Sequence, residues 1–195
     1  MNTTGQRPEH ADAKPTIVLV HGAFADGSSW NGVIERLQRQ GYTVVAPDEG
    51  ERLGEVASES RDSILNTAQV QYTYPAGPDG ETAVEFGINP ALLREVFAAD
   101  LPPETTALMA ATQRPVAAAA FTDVCGSQAW KKLPSWAVVA TGDKAAGADL
   151  VRSMAQRAGA DIVEVEGSHV IMISQPQAVT DHIVKAAQAT VSSGR

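Results

Sequence analysis

Residues 15–47 read PTIVLVHGAFADGSSWNGVIERLQRQGYTVVAP, and this stretch decides the fold class. Its first aliphatic run, 15–20, lacks polar alternation, which predicts a parallel strand covered on both faces. After a loop, a helix that ends at Gly41 presents one apolar face, formed by Trp30, Val33, Ile34 and Leu37. A second buried strand over 42–46 follows and stops at Pro47. The stretch therefore predicts a β-α-β unit of an α/β fold.

The same alternation returns in the carboxyl third of the chain. Strands are predicted over 135–140 and 161–165, with a helix between them that ends at Gly159 and a closing helix that begins near Ser174 and Pro176. Together the two regions predict a mainly parallel sheet of about four core strands with flanking helices.

Residues 48–134 interrupt this pattern and are interpreted as a mostly helical, cap-like insertion. A hairpin is predicted from the alternating run 70–74, the turn-rich segment 75–80 and a return strand over 81–86. Helices are predicted to start at 89–90, 101–103 and 114–115. We therefore expect one domain over 15–195, with 48–134 inserted within it and a disordered tail over 1–14.

Composition excludes several classes of protein. The chain has 195 residues and a formal charge of −8, which disfavours binding to nucleic acid or to an anionic membrane surface. Its single cysteine, Cys125, excludes an internal disulfide, and its four histidines show no metal-binding spacing. No apolar run resembles a signal peptide or a membrane span, so a cytoplasmic protein without cofactor or metal is expected.

Polar residues follow three of the predicted strands at their carboxyl ends, where open α/β sheets carry their functional groups. His21-Gly22-Ala23 follows the first strand, Asp143 the third and His169 the fourth. A carboxylate that holds one imidazole nitrogen fixes the tautomer and leaves the other nitrogen to move protons. Asp143 and His169 are therefore candidates for an acid–base pair.

The sequence resembles one family in three places. The opening 15–47, the segment SWAVVATGDK (135–144) and the segment EVEGSHVIMISQP (164–176) are similar to bacterial α/β-hydrolase fold esterases of the branch that includes plant methylesterases and hydroxynitrile lyases. Residues 88–120 resemble the helical cap of that family. The resemblance implies that Asp143 is the triad acid and His169 the triad base. It also implies an oxyanion-hole donor, the backbone N–H of Ala23 or Phe24.

The nucleophile of that family is missing from this sequence. No Gly-x-x-x-Gly frame has Ser, Cys or Asp at its centre, so the Gly-x-Ser-x-Gly elbow is absent. Ala46-Pro47-Asp48-Glu49-Gly50 joins the second strand directly to the cap, where relatives insert about two β-α units, on the order of sixty residues. By family topology the lost strand lies beside the first strand. Its loss predicts two half-sheets with unpaired inner edges, which either close directly or pair with another chain.

Other residues were weighed as replacements for the lost nucleophile. Ser28 and Ser29 lie near the oxyanion loop, but a serine just before a helix is usually its N-cap. A lone cysteine such as Cys125 is more often buried and inert than nucleophilic, and a histidine placed like His21 more often supports its loop than takes part in catalysis. A phosphate-binding loop over 22–29 is disfavoured because Ser28 stands where that motif needs lysine. We therefore assign no nucleophile.

These observations give one leading hypothesis and three alternatives. The leading hypothesis is an ester-hydrolase-like protein acting on small molecules that lacks ordinary serine-hydrolase activity, so that its status as an enzyme stays open. In the first alternative it binds an ester-like or apolar ligand without turnover, in a pocket under the cap that includes Trp30, Trp136 and Met172. In the second it is a truncated deletion product that forms a homodimer through exposed strand edges. In the third it hydrolyses esters slowly through a water molecule activated by Asp143 and His169.

Overall fold

The computed structural model describes residues 14–46, 60–77, 79–121 and 131–193. Cys125 and nearly all of the predicted tail lie outside these ranges. No helix in the described part of the chain is long and apolar enough to cross a membrane.

The amino-terminal part forms the predicted β-α-β unit, but its strands are shorter than expected. The prediction that they are covered on both faces is wrong, because Val18 and Val45 are exposed. Strand β1 (Ile17–Val18) and strand β2 (Val44–Val45) pair in parallel, and helix α1 (Asn31–Arg39) connects them. A single 3₁₀ turn over Gly27–Trp30 precedes α1. The predicted N-cap at Ser28 or Ser29 is wrong. Trp30 is the N-cap of α1 and makes no side-chain hydrogen bond there. Asp26 caps the 3₁₀ turn in extended conformation, and its carboxylate accepts the Ser28 N–H at 2.8 Å.

The carboxyl-terminal part forms a second parallel pair with its helices. Strand β6 (Trp136–Ala140) pairs along its whole length with β7 (Asp161–Val165), and helix α4 (Ala148–Arg157) joins the two. A short helix α5 (Ile171–Ser174) leads into the closing helix α6 (Pro176–Ser193).

The two parallel pairs do not share a ladder within the described residues, because β1 bonds only β2 and β6 only β7. Their inner edges can be assigned from the bonds that are made. Ile17 and Leu19 donate their N–H groups to the carbonyls of Thr43 and Val45 at 2.8 Å, so Val18 between them directs its main-chain groups to the opposite side. The predicted half-sheets are confirmed, and they do not close directly onto each other.

A shared apolar layer holds the two half-sheets together instead. Helix α1 packs on α6, with the side chains of Val33 and Leu37 fully buried between the elements. The shared apolar layer contains residues from both half-sheets. Its buried members are Leu19, Val33, Leu37, Tyr42, Ala140, Ile171, Val179 and Ala187.

The segment between the half-sheets contains the predicted hairpin. Strand β3 (Gln69–Pro75) pairs antiparallel with β4 (Thr82–Ile88), and helices α2 (Leu93–Phe97) and α3 (Pro103–Thr112) follow. The third helix predicted here, from 114–115, is wrong. Residues 116–117 instead form strand β5, in which Val116 pairs with Phe86, and a 3₁₀ turn over Ala118–Phe121 follows. A β-branched residue beside an open strand edge favours pairing over helix.

A second core cluster connects this segment to the loops that follow β1, β6 and β7. It surrounds Ile88, Leu93 and Phe97, which are almost completely buried. Phe24, Ala145 and Val170 join it from the three loops. The cap-like segment therefore packs on the edge where the candidate site residues lie.

Candidate active site

Asp143 is buried directly after β6 and uses both carboxylate oxygens. Oδ1 accepts the N–H groups of Ala145 at 2.8 Å and Ala146 at 3.0 Å, which closes the turn that leads to α4. Oδ2 lies 2.9 Å from Nδ1 of His169. The structure thus brings together Asp143 and His169, the two side chains that the sequence indicates as candidates for an acid–base pair.

The electrostatics of Asp143 favour its ionised form. Burial by itself raises the pKa of Asp143, but the hydrogen bond and charge of His169, with the Ala145 amide, outweigh it and hold the pKa below its usual value. An ionised carboxylate only accepts hydrogen bonds, so Nδ1 of His169 carries the proton. Nε2 is then the basic nitrogen, as general-base chemistry requires.

His169 follows β7 in the loop Gly167-Ser168-His169 and is one-third exposed. Its ring contacts the ring of Phe97 with centroids 4.8 Å apart. The loop is also fixed to the loop after β6, because the Gly142 N–H donates to the Gly167 carbonyl at 2.9 Å. The imidazole is therefore held on one side by a carboxylate and contacted on another by an aromatic ring.

The loop after β1 presents free main-chain donors. Phe24 has a φ of +64°, a left-handed conformation that is costly for a bulky residue. Its buried ring packs edge-on against Phe97 with centroids 6.4 Å apart, which links this loop to His169. Within the described residues, the N–H groups of Ala23 and Phe24 donate to no protein acceptor. A constrained turn with unused N–H groups is suited to an oxyanion.

The other residues weighed from the sequence make structural contacts. The Ser28 hydroxyl donates to Asp26 Oδ1 at 2.5 Å. This bond lowers the pKa of Asp26, so the Asp26 carboxylate is a poor base for activating Ser28. His21 is buried with Nδ1 3.0 Å from the Gly22 carbonyl. In the ranges that the structure describes, no three His, Cys, Asp or Glu side chains converge as a metal site.

Sequence reasoning missed Asp100, which follows α2. Its carboxylate accepts hydrogen bonds from the backbone and the hydroxyl of Ser168, the neighbour of His169. The two residues are 68 positions apart, and no local pattern signals such a contact.

An apolar cleft of about 650 Å³ lies between the two half-sheets. Trp30, Trp136 and Met172, predicted to share a pocket, all line it. Among the described residues, its lining comes from β1, β6, helices α5 and α6 and the neighbouring segments, and Pro134 is the lining residue that belongs to the predicted cap segment. Trp30 Nε1 is buried without a hydrogen-bond partner in the described structure.

The comparison with protein families identifies the chain. Residues 56–182, more than half of the sequence, match the model of the alpha/beta hydrolase family. The chain belongs to this family. No curated protein matches the sequence of this alpha/beta hydrolase.

Solved structures share the fold of this alpha/beta hydrolase. Polyneuridine aldehyde esterase is 15% identical with a TM-score of 0.69, covering 90% of this chain and 100% of that one. Tomato methylketone synthase I in complex with 2-tridecanone is 18% identical with a TM-score of 0.68, covering 91% and 99%. The methylesterase MES16 from Arabidopsis is 13% identical with a TM-score of 0.66, covering 89% and 99%. These similarities confirm the predicted fold and the resemblance to esterases of this branch.

Proposed function

We propose that this alpha/beta hydrolase acts on small-molecule esters with Asp143 and His169 as its catalytic side chains, without the covalent serine step. The observation that carries the proposal is the 2.9 Å contact between Asp143 Oδ2 and His169 Nδ1 in a chain without Gly-x-Ser-x-Gly. The pair is oriented for general-base catalysis, and water is the nucleophile that needs no further residue.

The reaction then has two steps. His169 Nε2 takes a proton from water as the water oxygen attacks the ester carbonyl, and the N–H groups of Ala23 and Phe24 hold the resulting oxyanion. When the tetrahedral intermediate collapses, the C–O bond to the alcohol breaks and His169 returns the proton to the leaving oxygen. The products are a carboxylic acid and an alcohol, and the enzyme is never acylated.

The test combines turnover with a covalent probe. We expect slow, saturable hydrolysis of p-nitrophenyl butyrate that falls about 100-fold in His169→Gln, with no adduct after incubation with a fluorophosphonate as judged by intact mass. His182→Gln is the matched control, because His182 is bound to the Asp161 carbonyl at 3.0 Å, outside the dyad.

Two results would contradict the proposal. A stoichiometric adduct on a serine, lost in His169→Gln, would show that an ordinary serine hydrolase has been rebuilt. Hydrolysis that is equal in the wild type and in His169→Gln would show that the dyad does not catalyse the reaction.

The cleft between the half-sheets favours a second candidate function, binding without turnover. Its volume lies in the range of small-molecule sites, and its lining is predominantly apolar. Trp30 Nε1 is itself inaccessible to solvent, so the ring and not the N–H of Trp30 lines the cleft. These features suit an apolar ligand, such as the 2-tridecanone bound by tomato methylketone synthase I.

Thermal unfolding with 2-tridecanone separates this candidate from the first. If the cleft binds the ketone, saturating ligand raises Tm, and Trp30→Ala weakens the shift because it removes an aromatic ring from the lining. His169→Gln leaves the shift unchanged. An unaltered Tm at the solubility limit of the ketone would exclude this ligand class.

A further inference from the structure

We infer that Asp100 is a positioning residue for His169, acting from the cap-like segment through Ser168. The inference rests on the proposed function of His169, and it adds a residue outside the acid–base pair. It follows from how α2 and the residues after it contact the histidine loop.

The contact between Asp100 and Ser168 uses both oxygens of one carboxylate. Oδ2 accepts the Ser168 N–H at 3.0 Å, and Oδ1 accepts the Ser168 hydroxyl. Ser168 is 4% exposed. Without Asp100, its N–H and its hydroxyl would be buried donors that have lost their acceptor. Burial by itself raises the pKa of Asp100, but the hydroxyls of Ser168 and Ser174 and the Ser168 N–H outweigh it, and the pKa lies below its usual value.

The backbone of the loop is shaped for this contact. A Cβ added to Gly167 would lie 2.8 Å from Asp100 Oδ2 and 2.3 Å from Ile171 Cδ1. Only glycine lets the carboxylate approach this closely.

The same segment also touches the imidazole directly. Phe97 lies three residues before Asp100, and its ring contacts His169. Asp143 fixes Nδ1, Phe97 covers part of the ring, and Asp100 fixes the peptide group between Gly167 and Ser168. The Gly142 N–H holds the carbonyl of that peptide group from the loop after β6, and Asp100 holds its N–H from the segment that follows α2. A displacement of about 1 Å at a catalytic group is enough to lower a rate about 100-fold.

The experiment compares Asp100→Asn with Asp149→Asn in the full chain. Asp149 provides a matched control, because its carboxylate likewise accepts a serine hydroxyl, from Ser60, and a backbone N–H, from Arg61 at 3.0 Å. The first readout is the Nδ1–H proton resonance of His169, assigned by its loss in His169→Gln. The second is kcat for p-nitrophenyl butyrate.

We expect Asp100→Asn to speed exchange of the His169 Nδ1 proton with water at least about tenfold and to lower kcat about 10- to 100-fold with little change in KM. Asp149→Asn changes neither readout. If Asp100→Asn does not fold, Ser168→Ala, which removes one of the two bonds, takes its place and is expected to change both readouts in the same direction.

The inference is overturned if a folded Asp100→Asn protein keeps the wild-type exchange rate. Asp100 would then only hold the cap-like segment in place. The proton resonance needs no turnover, so it still decides the role of Asp100 if the wild type hydrolyses no ester and the proposed function fails.

Discussion

Asp143 is the residue on which the candidate site depends most, because one oxygen holds its own turn and the other holds His169. Its pKa lies below the usual value of 3.8. A depressed carboxylate pKa stabilises the folded state above the unfolded pKa, and this stability is lost as pH falls through the folded value. We expect Asp143→Asn to cost about 1–3 kcal/mol at pH 7 and to flatten the loss of stability below about pH 4.

Urea unfolding at a series of pH values measures this effect. Asp181→Asn serves as the control, because Asp181 is exposed on α6 and, in the part of the chain that the structure describes, accepts a side-chain hydrogen bond from Gln177 alone. Equal pH profiles for Asp143→Asn and the wild type would contradict the assignment of an ionised Asp143.

Gly167 gives a steric prediction at the same scale. A methyl group there meets Asp100 and Ile171 at distances well inside van der Waals contact, whereas one at Gly22 meets nothing within 4 Å. We expect Gly167→Ala to destabilise the protein by about 1–3 kcal/mol and Gly22→Ala to have almost no effect. The free energy of unfolding in urea distinguishes them, and equal values would contradict the close packing at Gly167.

At the scale of elements, helix α1 holds the two half-sheets through its buried face. Leu37 is fully buried in the cluster that both half-sheets share, whereas Leu108 on α3 is 70% exposed. We therefore expect Leu37→Ala to cost about 2–5 kcal/mol and Leu108→Ala less than about 0.5 kcal/mol. Denaturant unfolding of both variants measures this, and a small effect at Leu37 would show that α1 does not carry this core.

The elements also show what a sequence can predict here. The segment 161–165 was predicted with its observed bounds because β7 pairs with β6 over its full length. The strand predicted over 15–20 contains only Ile17–Val18, because its ladder with β2 has two residue pairs, Ile17 with Val44 and Val18 with Val45. The sequence predicts a helix at Val116, but the structure has a strand there. The pairing of Val116 with Phe86 is a tertiary contact that no local pattern encodes.

In the candidate site too, some residues are predictable from local patterns and others depend on tertiary contacts. Asp143 and His169 are predictable because each follows a strand of a parallel pair, and the carboxyl ends of parallel strands meet at one edge. Asp100 was not, because its contact with Ser168 joins segments 68 residues apart. A pocket formed by Trp30, Trp136 and Met172 was anticipated, but its position between half-sheets follows from the way the sheet divides.

At the scale of the whole molecule, the inner sheet edges make association of two copies testable. Val18 is 58% exposed, and its main-chain groups face away from β2. An exposed strand edge with apolar side chains is a template for another strand.

We expect a homodimer whose Tm rises with protein concentration. Val18→Lys should lower its association constant about tenfold or more by placing a charge on this edge. Thr43→Lys, at an exposed position beside β2, should change association little. A monomer by sedimentation equilibrium, with a constant Tm, would show that the inner edge of β1 does not bind a second copy.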